Sequence, residues 1–185
     1  YSIPYTLSFF LFMQHFSYSD ETDRAYGATG MAIGLMIYDG DEMLYSIDLD
    51  SEGHMMALSP DFYFAGNPGV SAKSAWNQIL KNYNIGVSML VANLLCRHLV
   101  GRREALPSDM AQELRLMARE EGVGSCSLEQ DETDRLFDKS YGYLTRVFSH
   151  RGVQAVAHDF ASALMTRRHL SRLDALELLD ALRML

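Results

Sequence analysis

Residues 85–100 constrain the fold most, because apolar side chains occupy nearly every position of this stretch. Its polar members are Ser88, Asn93, Arg97 and His98. A helix that is apolar around most of its circumference must be covered by other elements of the protein. We therefore predict that this stretch is the central core helix and that the rest of the chain packs around it.

Asp39-Gly40 is a dipeptide typical of the two-residue turn of a β-hairpin. Apolar residues 31–38 precede it, and residues 43–50 alternate between apolar and polar side chains. Such alternation is typical of a strand with one face in the core. The pattern predicts a hairpin at about residues 31–49.

The segments around this hairpin complete the predicted N-terminal region. Residues 5–16 are apolar on almost every side and predict a buried helix, with a buried strand as the alternative. Residues 19–29 are polar and contain glycine, which predicts a loop. A third strand is expected at residues 55–58 or 62–65, on either side of a turn.

After residue 70 the apolar residues recur with helical spacing, and turn residues separate the segments. This pattern predicts five or six packed helices with short connections. A length of 185 residues suits one domain. We therefore expect a single α+β, predominantly helical domain, with a helix and hairpin region over residues 1–70 and a helical bundle over residues 71–185.

The formal net charge of −8 is unevenly distributed along the chain. Arg24 is the only lysine or arginine in residues 1–72, and most of the basic residues follow Asn93. An acidic N-terminal part repels the phosphate backbone, so binding of nucleic acid is not expected.

The chain contains two cysteines, Cys96 and Cys126, which we expect to be free thiols in a reducing compartment. No apolar stretch reaches the ~20 residues that a membrane-spanning helix needs. No basic leader typical of a secretory signal precedes residues 5–16. These features predict a cytoplasmic protein without a membrane partner.

The spacing of Asp48, Asp50 and Glu52, followed by a glycine and His54, resembles the start of a calcium-binding loop. Hard cations prefer several oxygen ligands on one short turn. However, Ser59 stands where such a loop would carry its final glutamate. A ligand or metal site formed by these four side chains is one interpretation, and the solvent-facing side of a strand is the other.

Two clusters of arginines follow in the helical region. The first contains Arg97, Arg102 and Arg103, and the second contains Arg167 and Arg168. Each cluster lies near a predicted helix C-terminus, where the helix dipole stabilises cations. The alternatives are an anion-binding patch, or a contact surface for the acidic N-terminal part of the same chain.

The chain has no phosphate-binding loop, dinucleotide fingerprint or nucleophile elbow, so no cofactor is expected. We favour a non-catalytic interaction protein that forms a homo-oligomer through its surplus apolar surface. An enzyme or small-ligand binder near the hairpin–helix junction is the alternative, and a pocket with convergent titratable groups would favour it. A helix-turn-helix regulator at residues 107–150 is the third possibility.

Overall fold

The computed structural model describes residues 16–59 and 72–185. The described part is mostly helical and contains one small antiparallel sheet, which confirms the predicted α+β class. In chain order the elements are α1 (Glu21–Ile37), a 3₁₀ turn (Asp41–Met43), β1 (Leu44–Asp48), β2 (Met56–Leu58), α2 (Ala72–Leu95), a π-helical segment (Cys96–Arg102), α3 (Ser108–Cys126), α4 (Gln130–Ser149), α5 (Arg151–Arg167), β3 (His169–Ser171), α6 (Arg172–Leu179) and a second 3₁₀ turn (Asp180–Met184). The helix predicted at residues 5–16, apart from its last residue, and the strand alternative at residues 62–65 lie outside the described residues.

Helix α1 replaces both the loop predicted at residues 19–29 and the first strand of the hairpin predicted at residues 31–49. Its N-terminus is fixed by Asp20, whose side chain accepts a hydrogen bond from the backbone N–H of Asp23 at 2.8 Å. Such a cap satisfies one of the N–H groups that a helix start leaves unpaired. The prediction of a strand here was therefore wrong.

The Asp39-Gly40 dipeptide ends α1 and does not form a hairpin turn. The N–H of Gly40 donates to the carbonyl oxygen of Leu35 at 2.8 Å, and the N–H of Asp39 donates to that of Met36 at 3.2 Å. Asp39 has a left-handed φ of 55°. These two bonds form a Schellman motif, in which a residue with positive φ stops the helix.

The sheet has the strand order β2-β1-β3, and both pairings are antiparallel. Ile47 at its centre is paired with Met56 on one side and Leu170 on the other, and all three side chains are buried. The predicted return strand is confirmed at β1, and the strand expected at residues 55–58 is confirmed at β2. Strand β3 was not predicted, and it brings the C-terminal region into the sheet.

The prediction of a central core helix is confirmed by α2 and the π-helical segment, which pack against α1. The two helices approach closely because glycines of α1 face small residues of α2. A Cβ atom on Gly30 would lie 2.3 Å from the backbone oxygen of Ala92, and one on Gly34 would lie 2.8 Å from the Ala92 Cβ. Only glycine fits at this crossing, so the contact depends on the absence of side chains.

Helices α3 and α4 form an antiparallel hairpin. Arg119 pairs with Asp134 at 2.7 Å, and Arg115 pairs with Asp138 at 2.9 Å. The two ion pairs lie one helical turn apart and hold the helices together near their connection. The helix-turn-helix regulator at residues 107–150 stays a prediction.

Within the described ranges, one helical stretch, Trp76–Arg102, has the length and composition of a membrane span. Of its most apolar window, 83% is buried inside the protein. The helices α1 and α4 and other neighbouring helices cover its apolar surface, as expected for the core helix of a folded domain.

Candidate functional site

The first arginine cluster contacts the acidic N-terminal part of the chain. The Nε of Arg97 donates to Asp23 Oδ1 at 2.9 Å, and its Nη2 donates to Asp23 Oδ2 at 2.7 Å. Arg102 Nη2 lies 3.1 Å from the same Oδ2. Asp23 and Arg97 are both buried. Arg97 and Arg102 therefore serve as a contact surface for the acidic N-terminal part of the same chain.

The surroundings of Asp23 keep its carboxylate ionised. Burial by itself would raise its pKa, but hydrogen bonds from Arg97 and from the backbone N–H of Ser19, together with the charges of Arg97 and Arg102, lower the pKa to about 2. Arg97 also donates to the carbonyl oxygens of Phe16 and Ser17. The pair therefore holds the segment before α1 against the π-helical segment.

The second cluster makes similar contacts at the protein surface. Arg168 donates to Asp50 and also lies 2.6 Å from Glu21, while Arg167 pairs with Asp174 at 2.9 Å. Hydrogen bonding to Arg168 lowers the pKa of both Asp50 and Glu21. These two arginines are thus ion-paired within the chain.

The predicted ligand or metal residues lie at the end of β1 and in the turn before β2. Asp48 accepts a hydrogen bond from the backbone N–H of Asp50 at 3.0 Å, and Asp50 contacts Arg168. The side chains of Glu52 and His54 are exposed. Across residues 16–59 and 72–185, no three histidine, cysteine or acidic side chains form a group that could hold a metal ion. The structure does not bring these four residues together around a common point.

A different site lies between the end of the π-helical segment and the first half of α5. It is a concave cleft of about 620 Å³ with Leu99 and Val100 among its apolar lining residues. We call it the α5 cleft. Its polar lining residues are Arg103, Glu104, Ser149, Arg151, Gln154 and His158.

Two charged residues of the α5 cleft follow the π-helical segment directly in the chain. Arg103 has a left-handed φ of 56°, and its backbone N–H donates to the carbonyl oxygen of His98. The N–H of Glu104 donates to that same oxygen at 3.0 Å. The chain therefore turns sharply at the two residues that follow the π-helical segment.

Helix α5 supplies the opposite wall. Arg151, Gln154, Ala155 and His158 all line the cleft, and positions three, four and seven residues apart share one face of a helix. His158 Nδ1 lies 2.7 Å from the hydroxyl oxygen of Tyr26 on α1, and the two rings meet edge to face. This bond fixes the orientation of the imidazole at the cleft wall.

The pKa of the Tyr26 phenol is influenced by its burial and by the charge of Arg103. Burial is the main reason why its pKa is raised, and the positive charge of Arg103 acts in the opposite direction. The phenol of Tyr26 therefore keeps its proton at neutral pH and is close enough to Arg103 to sense its charge.

His98 lies behind the cleft, on the π-helical segment. It is 2% exposed, and its Nδ1 lies 3.5 Å from Glu104 Oε1. Within the described residues neither ring nitrogen makes a hydrogen bond. Burial first, and then the charges of Arg102 and Arg97, lower the pKa of His98. The imidazole is consequently held neutral beside the carboxylate of Glu104.

Sequence reasoning identified Arg103 as a candidate anion ligand but did not identify Tyr26, Glu104, Arg151 or His158. The only local signal was the spacing along residues 151–158, which places polar side chains on one helix face. The chain matches no protein-family model, no curated protein and no solved structure.

Proposed function

We propose that the protein binds a small molecule in the α5 cleft, either as a binding protein or as an enzyme. The observation that carries this proposal is that four residues with titratable side chains, Arg103, Glu104, Arg151 and His158, line one concave cleft. The volume of about 620 Å³ lies within the range of small-ligand sites, roughly 300–1,000 Å³.

The backbone at the cleft supports the same proposal. The π-helical segment Cys96–Arg102 ends at its wall. A π-helix is defined by hydrogen bonds between residues five apart, which are rare in proteins. Where π-helical turns do occur, they are frequently at functional sites. The segment also carries the buried, neutral His98 next to Glu104. Irregular backbone and unbonded buried polar atoms are both costly to stability, and function is a common reason for such costs.

The two cysteines do not contribute a reactive group to this site. Both are free and buried. Burial raises the pKa of Cys96 far above its usual value, and burial together with Glu121 raises that of Cys126 to about 12. Thiols that stay protonated are poor nucleophiles. Two free, inert thiols support a reducing, cytoplasmic location as part of this proposal.

A fragment screen observed by ¹H–¹⁵N NMR tests the binding proposal. We expect fragments that shift the amide resonances of Gln154, Ala155 and His158. Ala155→Trp should fill the cleft and weaken such binding at least tenfold, because Ala155 lies in the lining. Ser162→Trp, an exposed position further along α5, is the matched control and should bind as the wild type does. If no fragment perturbs these resonances, or if Ala155→Trp binds equally well, the proposal fails.

Self-association is a second candidate function, favoured by two exposed apolar side chains near one point of the sheet. Tyr45 is 68% exposed and Leu173 is 76% exposed. Ser46, which follows Tyr45, pairs across β1 and β3 with Ser171, which lies two residues before Leu173. Exposed apolar patches of this kind commonly mark interfaces.

Light scattering coupled to size exclusion tests this second candidate. A dimer or higher oligomer at micromolar concentration, lost in a Tyr45→Ser, Leu173→Ser double variant, is the expected result. Val123→Ser, which changes an exposed apolar residue on α3, is the control and should leave the oligomer intact. A wild-type protein that is monomeric at that concentration argues against self-association.

A further inference from the structure

We infer that the ligand of the α5 cleft is an oxyanion, a small carboxylate or phosphate, bound between the guanidinium groups of Arg103 and Arg151 and the Nε2–H of His158. In the same inference, Tyr26 is the positioning residue that makes His158 a hydrogen-bond donor. The inference rests on the proposed function, namely that this cleft binds a small molecule.

The α5 cleft is lined by more arginines than carboxylates. The other four arginines of the two predicted clusters each have a carboxylate partner. Within the described ranges, Arg103 and Arg151 have no such ion pair, and both line the cleft. Arginine presents several N–H groups in a plane that matches the oxygens of a carboxylate or phosphate. Two arginines on opposite walls therefore favour an anionic ligand.

Glu104 also lines the cleft and has the opposite charge. Its Oε1 lies 3.9 Å from Arg102 Nη1, outside the lining. With Arg103 and Arg151 both in the lining, the formal charge of the cleft residues stays positive even when Glu104 is counted. The cleft also borders the first turn of α5 at Arg151, where the helix dipole adds positive potential.

The hydrogen bond with Tyr26 decides the tautomer of His158. Tyr26 retains its phenolic proton, and within the described part of the chain His158 Nδ1 is its hydrogen-bond partner, at 2.7 Å. If the phenol donates, Nδ1 is the acceptor and a neutral imidazole must carry its proton on Nε2. The reverse arrangement would leave the phenolic proton without an acceptor among the described residues. The tautomer with the proton on Nε2 is assigned from this hydrogen bond.

Protonation of His158 does not change what the ring presents to the ligand. The imidazolium carries protons on both nitrogens, so Nδ1 donates to the Tyr26 oxygen and Nε2 remains a donor. Since Tyr26 occupies Nδ1, Nε2 is the nitrogen available to the cleft. His158 thus offers an N–H group in both protonation states, which suits an oxyanion and does not suit a ligand that donates hydrogen bonds.

The test is a titration of the full chain with inorganic phosphate and, separately, with succinate, at constant ionic strength set by chloride. Saturable binding that shifts the resonances of Gln154, Ala155 and His158 is expected for at least one of the two probes. Arg103→Gln and Arg151→Gln should each weaken it by roughly tenfold, the effect of losing one charge-assisted hydrogen bond. Arg135→Gln, at an exposed position on α4, is the matched control and should bind as the wild type does.

The role of Tyr26 has a spectroscopic readout. Long-range ¹H–¹⁵N spectra of the histidines report which ring nitrogen carries the proton. We expect the wild type to show His158 protonated on Nε2, and Tyr26→Phe to show a mixture of tautomers with several-fold weaker probe binding. If Tyr26→Phe leaves both the tautomer and the affinity unchanged, Tyr26 does not position His158.

The outcomes separate this inference from the proposed function. If fragments bind the α5 cleft but neither phosphate nor succinate does, the oxyanion inference fails and the proposed function stands. If the probes bind equally well to the wild type, Arg103→Gln and Arg151→Gln, binding is non-specific and the oxyanion inference also fails. If neither fragments nor anions perturb the cleft, both proposals fail.

Discussion

Asp23 and Arg97 form a bidentate ion pair that joins α1 to the π-helical segment, with nitrogen–oxygen distances of 2.9 and 2.7 Å. The side chains are 4% and 2% exposed, respectively. In water such a pair contributes little, but in the interior each charge depends on its partner. The pair therefore determines how the N-terminal region is fixed to the core helix.

Asp23→Asn should lower the free energy of unfolding by about 3 kcal/mol, because it leaves the buried guanidinium of Arg97 without its counter-charge. Urea denaturation at pH 7 measures the change. Arg135→Gln breaks the exposed pair with Asp131 on α4 and should cost less than about 0.5 kcal/mol. Equal losses in the two variants would show that the buried pair has no special role.

The same carboxylate predicts a specific loss of stability in acid. The pKa of Asp23 is about 2 in the folded protein, below its ordinary value of 3.8. Its stabilising contribution is therefore complete above about pH 4 and is lost as the pH falls towards 2. The difference corresponds to about 2 kcal/mol. Urea midpoints from pH 5 to pH 2 should fall more steeply for the wild type than for Asp23→Asn, and parallel curves would contradict the assignment.

His98 predicts a separate loss of stability at milder pH. Its pKa is lowered in the folded protein, so the unfolded chain binds the proton more readily. Stability should be constant above the ordinary value of 6.5 and should decrease as the pH falls below it, towards the lowered pKa. His98→Gln should reduce this slope in thermal unfolding between pH 7.5 and 5. His169→Gln, at an exposed position on β3, should keep the wild-type slope, and a loss of slope in that variant would exclude His98 as the cause.

The close approach of α1 and α2 predicts opposite effects for two Gly→Ala substitutions. A Cβ atom on Gly30 meets backbone of α2 at 2.3 Å, so Gly30→Ala must push the helices apart and should cost about 3 kcal/mol. Gly142 lies inside α4, and a Cβ atom there meets nothing within 4 Å. Gly142→Ala should therefore stabilise the protein by about 0.5–1 kcal/mol. Urea unfolding of both variants checks the pair, and a neutral Gly30→Ala would contradict the packing.

The core helix and β1 could be predicted from sequence because burial marks each of them within one segment: the core helix by a long apolar run, and β1 by alternation of apolar and polar residues. The first half of the predicted hairpin could not. Residues 31–37 are all apolar or small, and such a run fits a buried strand as well as a buried helix. The spacing of Gly27, Gly30 and Gly34 is that of a helix packing face, but its meaning becomes clear only once Ala92 lies opposite. Asp39-Gly40 is equally ambiguous, because a residue that accepts positive φ suits both a turn and a helix end.

The α5 cleft could not be predicted because its walls are far apart in the chain. Arg103 and Glu104 follow the π-helical segment, while Arg151 and His158 belong to α5. Their proximity results from the packing of helices, which no local pattern encodes. The contacts of the two arginine clusters could be anticipated in part, because an acidic N-terminal part attracts arginines from elsewhere in the chain. The pairs with Asp23, Glu21 and Asp50 fit that complementarity.

The pairing of β1 with β3 has a consequence for synthesis of the chain on the ribosome. Strand β1 emerges early, and its second partner, His169–Ser171, emerges only after four further long helices. At a translation rate of about 5–20 residues per second, the delay is on the order of ten seconds. During that time one edge of β1 has no native partner, and an unpaired edge is prone to aggregation. Nascent chains of this protein should therefore bind chaperones until residue 171 has left the exit tunnel.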